Sequence, residues 1–229
     1  MVRIMANKVN NIILGTLKFV GVFILYFFLS IVLNSLLSKY IKSDNFWISN
    51  ISLIASTLFV TLVLCFIYRK RLLEDLHNFK KRDLEDGIKY WLVGLGIMII
   101  TNYLLLFFIG QMPGNESVNR GIITAYPLYA LFCMCVIAPL EEEIIFRLSL
   151  RKIFTNKYLY ALCSGLIFGY AHVLGTGFPE ILYIIPYGAL GFMFALAYYE
   201  TDNIFTSVSL HIIHNSLTIL LIVVTSGMI

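Results

Sequence analysis

Charge is what this sequence has least of. Only 13% of its 229 residues are Asp, Glu, Lys or Arg, while 59% are hydrophobic. A soluble domain averages about 25% charged and about 45–50% apolar, so a soluble globular fold is excluded. The basic residues form no stripe that would track a nucleic-acid backbone, and no nucleic-acid partner is expected. The four cysteines, Cys65, Cys133, Cys135 and Cys163, lie in apolar stretches without CxxC spacing. They indicate no disulfide framework and read as small buried apolar side chains. Internal repeats, low-complexity segments and the His-Glu-x-x-His spacing of a helical zinc protease are all missing. The first apolar run is too long for a signal-peptide core and is not followed by a small-residue cleavage site.

What remains is a series of long apolar runs. Several reach the ~18–20 residues needed to cross a bilayer. Spans are expected over 12–37, 47–68, 88–109, 125–154, 158–173, 181–199 and 204–225. The fold class is therefore all-α: a polytopic transmembrane bundle of about seven spans, with six to eight as the range. The segment 69–89 carries seven basic residues (Arg69, Lys70, Arg71, Lys80, Lys81, Arg82 and Lys89), with Leu72, Leu73, Leu76 and Phe79 at helical spacing. It is expected to be a short amphipathic helix on the membrane surface. A single membrane domain follows, with spans and basic loop over 1–124 and a chemically active core over 125–225.

Loop charges set the orientation. A cytoplasmic N-terminus keeps Arg3, Lys8, the basic loop, Arg151, Lys152 and Lys157 inside, leaving only Lys39, Lys42 and Arg120 outside. That agrees with the positive-inside rule and puts the C-terminus outside.

Against this apolar background the polar residues of the later runs stand out. Glu141, Glu142, Glu143 and Arg147 lie in the fourth run, His172 ends the fifth, and His211, His214 and Asn215 lie in the seventh. One acid at a helix centre costs roughly 2.5–3.5 kcal/mol on insertion scales, so such residues face a protein interior or a wet cavity. Glu143 and Arg147 are four apart and share a face as an ion pair. Glu142 is turned about 100° away and need not share that arginine. His211 and Asn215 also share a face, and His214 is expected to be structural. Pro139 and Pro186 can kink their helices and open a carbonyl. Gly165, Gly169, Gly188, Gly191 and Ala195 fall on close-packing spacings. His77, in the charged loop, reads as solvated.

A carboxylate in a low-dielectric cavity is pushed toward the range where it acts as a general base. Imidazoles and an amide beside it could hold a water and donate to a developing oxyanion. The result is a hydrolytic site without Ser or Cys. The same groups, Glu142, His172 and His211, could instead ligate zinc and activate its water. The metal-free reading is favoured, with zinc as the alternative.

These residues resemble a known family. Ala138-Pro139-Leu140-x-Glu142-Glu143-x-x-Phe146-Arg147, Phe168-x-x-x-His172 and His211-x-x-x-Asn215 are similar to the three motifs of the CPBP intramembrane proteases. That family includes type II CAAX prenyl endopeptidases, abortive-infection proteins and bacteriocin-processing or self-immunity proteins. The resemblance covers about 125–225, and the first three spans match only in being hydrophobic. It implies that Glu142 activates water, that His172 helps hold it, and that His211 and Asn215 complete the site, Asn215 as an oxyanion donor. It gives Glu143 and Arg147 a scaffold role and packs Phe168 one turn below His172. Two departures stand out: Leu148 where a glycine often follows the arginine, and the additional acid Glu141.

The expectation is an intramembrane endopeptidase in a bacterial cell membrane, cutting a membrane-associated peptide or protein, with its active site among the four C-terminal helices. The rival is a non-enzymatic immunity factor or regulator that keeps the fold, although intact motifs serve no purpose in a pure binding protein. A proton-coupled transporter comes third, because neither inverted repeats nor paired broken helices are visible.

Overall fold

The computed structural model describes residues 2–41 and 46–226. Lys42, assigned by loop charge to the far side, lies outside them, as do the side chains of Arg3 and Lys8. Every regular element among the described residues is helical. The chain is a polytopic helical membrane protein. Among the described residues five helical stretches are long and apolar enough to span a bilayer: Ile12–Leu37, Asn50–Asn78, Lys81–Ile109, Glu180–Thr201 and Ile204–Thr225.

The chain divides into two compact units, Met1–Glu74 and Asp75–Ile229. The first holds α1 (Val2–Ile24), a π-helical turn (Leu25–Leu29), α2 (Ser30–Leu37) and most of α3 (Phe46–Asn78). Within it the Ser52 hydroxyl donates to Asn34 Oδ1 at 2.7 Å, and the Lys18 ammonium sits 3.9 Å from the centroid of the Tyr68 ring. Each contact gives a polar group in an apolar run a partner.

The segment 69–89 is not the separate surface helix that its charges suggest. Helix α3 runs on to Asn78, and α4 (Lys81–Ile109) starts after two non-helical residues. The physical reason is local: Arg, Lys, Leu and Glu are good helix formers, and nothing between Tyr68 and Asn78 stops the helix. At Lys80 the backbone turns extended, and its N–H donates to Asp83 Oδ2 at 2.9 Å, capping α4.

The expected fourth span is also subdivided. Helix α5 (Gly114–Ala125) is followed by α6 (Pro127–Phe132), a π-helical turn (Cys133–Ile137), α7 (Ala138–Glu143) and a second π-helical turn (Ile144–Leu148). Tyr126 precedes a proline, which disfavours the α region, and its φ −141° and ψ 65° break the helix there. Pro127 then starts α6, where its missing N–H costs nothing. Helix α8 (Lys157–His172) has 16 residues and is N-capped by Asn156, whose Oδ1 accepts from the Leu159 N–H at 2.9 Å.

Helix α9 (Ile184–Thr201) packs between α8 and α4. Its contact with α8 is backbone on backbone: a Cβ at Gly165 would lie 2.6 Å from Gly188 O, and one at Gly169 would lie 2.7 Å from Ile184 O. Only glycine permits that approach. Lys157 and Glu200 pair across the other end of the two helices. Helix α10 (Ile204–Thr225) completes the unit, packing its Leu210 with Leu190, Phe194 and Ala197 of α9. Its start is fastened to Asp75: Ile204 N–H donates to Asp75 Oδ2 at 3.0 Å, and Asn203 Nδ2 to Asp75 O at 2.7 Å. Asn203 Oδ1 also accepts from the Phe205 N–H at 3.0 Å, so one side chain caps the helix and ties it down.

Candidate active site

The three acids sit on α7, a short α-helical piece between two wide turns. Wide turns of this kind occur mostly as single insertions in α-helices, frequently at functional sites. The first has a local cause. In it the Ala138 N–H bonds back to Cys133 O, five residues away. In that register the donor owed to Met134 O belongs to Pro139, which has none. The vacancy is filled from another helix: Asn215 Nδ2 donates to Met134 O at 2.7 Å. The second wide turn closes with the Ser149 N–H on Ile144 O at 3.0 Å.

Glu143 is wholly buried. Its Oε2 lies 3.1 Å from Arg147 Nε, and its Oε1 accepts from His211 Nδ1 at 2.9 Å. The Glu143–Arg147 contact is an ion pair whose angle falls short of a hydrogen bond, so it holds by charge. Arg147, equally buried, donates through Nη1 to the Ser164 hydroxyl at 3.3 Å and lies over the Phe168 ring, 4.7 Å from its centroid. Ser164 donates to Phe146 O at 2.6 Å, and the Tyr160 hydroxyl to Arg147 O at 3.1 Å. The second wide turn is thereby bonded to α8 at two carbonyls.

A carboxylate only accepts, so His211 Nδ1 carries its proton and leaves Nε2 bare in the neutral ring. That Nε2 faces Glu142 Oε2 at 3.6 Å. His211 therefore stands between the two glutamates, one nitrogen to each. The difference in surroundings is sharp: the Glu143 side chain is 0% exposed and that of Glu142 is 16% exposed. Glu142 is the acid with access. At 3.6 Å its contact with His211 is too long for a direct hydrogen bond.

His172 ends α8. Its Nδ1 donates to Phe168 O at 2.9 Å, which again leaves Nε2 bare. The Phe168 ring joins the two histidines, with centroids 4.4 Å from His172 and 5.9 Å from His211. Phe146 meets Phe168 edge-on at 5.4 Å, and Phe194 lies 5.0 Å from His211. Aromatic rings thus pack on both histidines and on Arg147.

The structure brings Glu142, Glu143, Arg147, Phe168 and His211 into one connected cluster. His172 joins it through Phe168, and Asn215 through the first wide turn. Glu141 and His214 are buried, and His77 is exposed. Among the described residues no group of three or more His, Cys, Asp or Glu side chains closes into a metal-binding cluster.

Sequence reasoning missed Tyr160, Ser164, Phe194, Tyr187 and the Met134 carbonyl. One signal was available: Tyr160, Ser164, Phe168 and His172 repeat every four residues and form one stripe of α8. The other contacts depend on which helices become neighbours.

The family model described as "Type II CAAX prenyl endopeptidase Rce1-like" matches residues 98–217, a range that takes in every residue of this cluster. The chain belongs to that family. Among similar proteins, one named "Putative membrane peptidase YdiL" from Bacillus subtilis is 27% identical, over 79% of this chain and 73% of its own length. A "UPF0177 protein YxdF" from Lactococcus lactis is 28% identical, over 66% of this chain and 86% of its own length. No solved structure matches. Residues 1–97 lie outside the family match, so the resemblance is carried by the helices that build the cluster.

Proposed function

We propose that this protein is an intramembrane endopeptidase that cleaves a membrane-associated peptide or protein with water activated by Glu142. One observation carries the reading: Glu142 meets His211 at 3.6 Å, while the other nitrogen of that histidine is occupied by a buried glutamate–arginine pair. A histidine held this way has a fixed tautomer and a fixed heading. A water beside these groups donates one proton to Glu142 Oε2 and the other to a bare imidazole Nε2, of His211 or of His172.

Glu142 takes one of those protons as the water oxygen attacks the scissile carbonyl carbon. Negative charge then develops on the carbonyl oxygen. Asn215 spends one amide hydrogen on Met134 O and keeps the second to donate to that oxygen. When the carbon–nitrogen bond breaks, the amine leaves with the proton that Glu142 took. His172, through its bare Nε2, helps to hold the water. Glu143 and Arg147 keep His211 in place and take no proton.

The metal-free route is the one we favour: with Nδ1 of both histidines committed to protein groups, each bare Nε2 is an acceptor for water. The protein works in a bacterial cell membrane with its N-terminus on the cytoplasmic side.

The test replaces Glu142 with Gln and compares the membrane peptides of the two strains. The variant should accumulate an uncut peptide that the parent processes. A variant with an unchanged peptide pattern and full biological activity would overturn catalysis in favour of a binding protein.

A further inference from the structure

Outside the acid cluster, one aromatic contact has no explanation in packing alone. Tyr187, on the first turn of α9, stacks on His172 with centroids 4.6 Å apart and planes 27° from parallel. Its hydroxyl reaches away from the site and donates to Asn115 Oδ1 at 2.9 Å, on the first turn of α5. Stacked at one end and hydrogen-bonded at the other, the phenol has little freedom left. The His172 ring touches Phe168 as well, at 4.4 Å, and Nδ1 is already committed to Phe168 O. A hydrogen bond to a carbonyl one turn back leaves the ring free to rock about that bond. The stacked phenol removes that motion.

We propose that Tyr187, anchored by Asn115, is a positioning residue for His172 that holds the imidazole plane and gives the bare Nε2 one heading. The neighbouring contacts show why the anchor is firm. The Tyr183 hydroxyl, one turn earlier, donates to Gln111 O at 2.8 Å, and Gln111 Nε2 donates to Glu180 Oε1 at 2.8 Å. The α4–α5 connection and the start of α5 are thus bonded at three points to the 3-10 turn Glu180–Tyr183 and the start of α9, and Tyr187 is the one that continues into the site. A displacement of α5 would be felt at His172 through this ring. The proposal rests on His172 having a part in the reaction, so its test needs a readout that does not depend on cleavage.

The chain has four histidines, few enough to resolve by NMR with 13C-labelled imidazoles in nanodiscs. The His172 signals are assigned from a His172→Gln variant. In the intact protein the stacked phenol shields the His172 ring protons. Tyr187→Leu should move the His172 signals downfield and leave those of His77, His211 and His214 in place. Tyr187→Phe keeps the ring and should hold them close to their original position. Asn115→Ala keeps the phenol but frees it, and should move them part of the way. Cleavage, followed on the peptide found with Glu142→Gln, should lose about 10-fold in kcat in Tyr187→Leu with KM unchanged, part of the ~10²–10⁴ that a placed acid or base supplies. Tyr187→Phe should recover it.

Unmoved His172 signals in Tyr187→Leu would overturn the proposal. So would equal movement of all four histidines, which would mark a general packing defect. Should Tyr187→Leu fail to fold, the Asn115→Ala spectrum decides alone. If the signals respond as expected while no peptide is cut by the unaltered protein, the positioning stands and the peptidase reading falls.

Discussion

Asn215 donates to the carbonyl of Met134 at 2.7 Å, and a proline five residues beyond Met134 is what leaves that carbonyl without a helical donor. A residue type and a distant side chain thereby answer one another across two helices. Pro139→Ala should restore the missing N–H and let it compete for Met134 O. The Asn215 amide would then lose its fixed orientation, and turnover should fall by about 10-fold, short of the ~100-fold that an ångström of misplacement can cost. The Asn215 side-chain amide signal in an NMR spectrum checks this directly. An unshifted signal means that the proline does not govern the contact.

Glu142 and Glu143 are neighbours with opposite expectations. Glu142→Gln should abolish cleavage, by ~10²-fold or more, with little change in thermal stability. Glu143→Ala leaves Arg147 buried without its counter-charge and should cost about 3–5 kcal/mol. Unfolding in mild detergent measures both. Equal stability losses for the two variants would contradict the division between accessible acid and buried scaffold.

The α8–α9 seam gives a steric prediction. Gly165→Ala puts a methyl 2.6 Å from Gly188 O, against backbone that has no alternative rotamer. It should destabilise by about 1–3 kcal/mol, as overpacking does. Gly96, on α4, has nothing within 4 Å of its Cβ position and serves as the control. Gly96→Ala should be neutral or gain about 0.5–1 kcal/mol. Similar unfolding temperatures for the two variants would refute the close approach.

At the start of α10, Asn203 caps the helix and also binds the Asp75 carbonyl. Asn203→Ala should lose about 1–2 kcal/mol, the upper range for an N-cap. Asn203→Asp keeps the cap but cannot donate to Asp75 O, and should fall between the two. Thermal unfolding of all three proteins orders them.

Metal dependence can be decided on the purified protein. Cleavage should survive prolonged chelation, and elemental analysis should find no stoichiometric zinc. Loss of activity on chelation, restored by added zinc, would replace the metal-free mechanism.

How much of this was legible in the sequence depends on the range of the interaction. The all-helical membrane class follows from apolar runs, and the run 204–225 corresponds to α10 as the structure has it. The Glu143–Arg147 pair follows from four-residue spacing and forms at 3.1 Å. The continuation of α3 through Arg69–Lys70–Arg71 is not visible in hydropathy, because the apolar run ends at Tyr68 while good helix formers carry the helix on to Asn78. The wide turns around Glu141, Glu142 and Glu143 were not legible, since they depend on which carbonyls find partners elsewhere. Pro139 hinted at the first of them, but the identity of the freed carbonyl needs the register. Tyr187 looked like one more aromatic among many until α5, α8 and α9 came together.

The bare glycine contact between α8 and α9 also restricts traffic. Two main chains pressed together at Gly165 and Gly169 leave no crevice there, so the proposed substrate, arriving sideways from the lipid, cannot slip between the helices at that seam. Its doorway has to be cut through some other wall of the bundle.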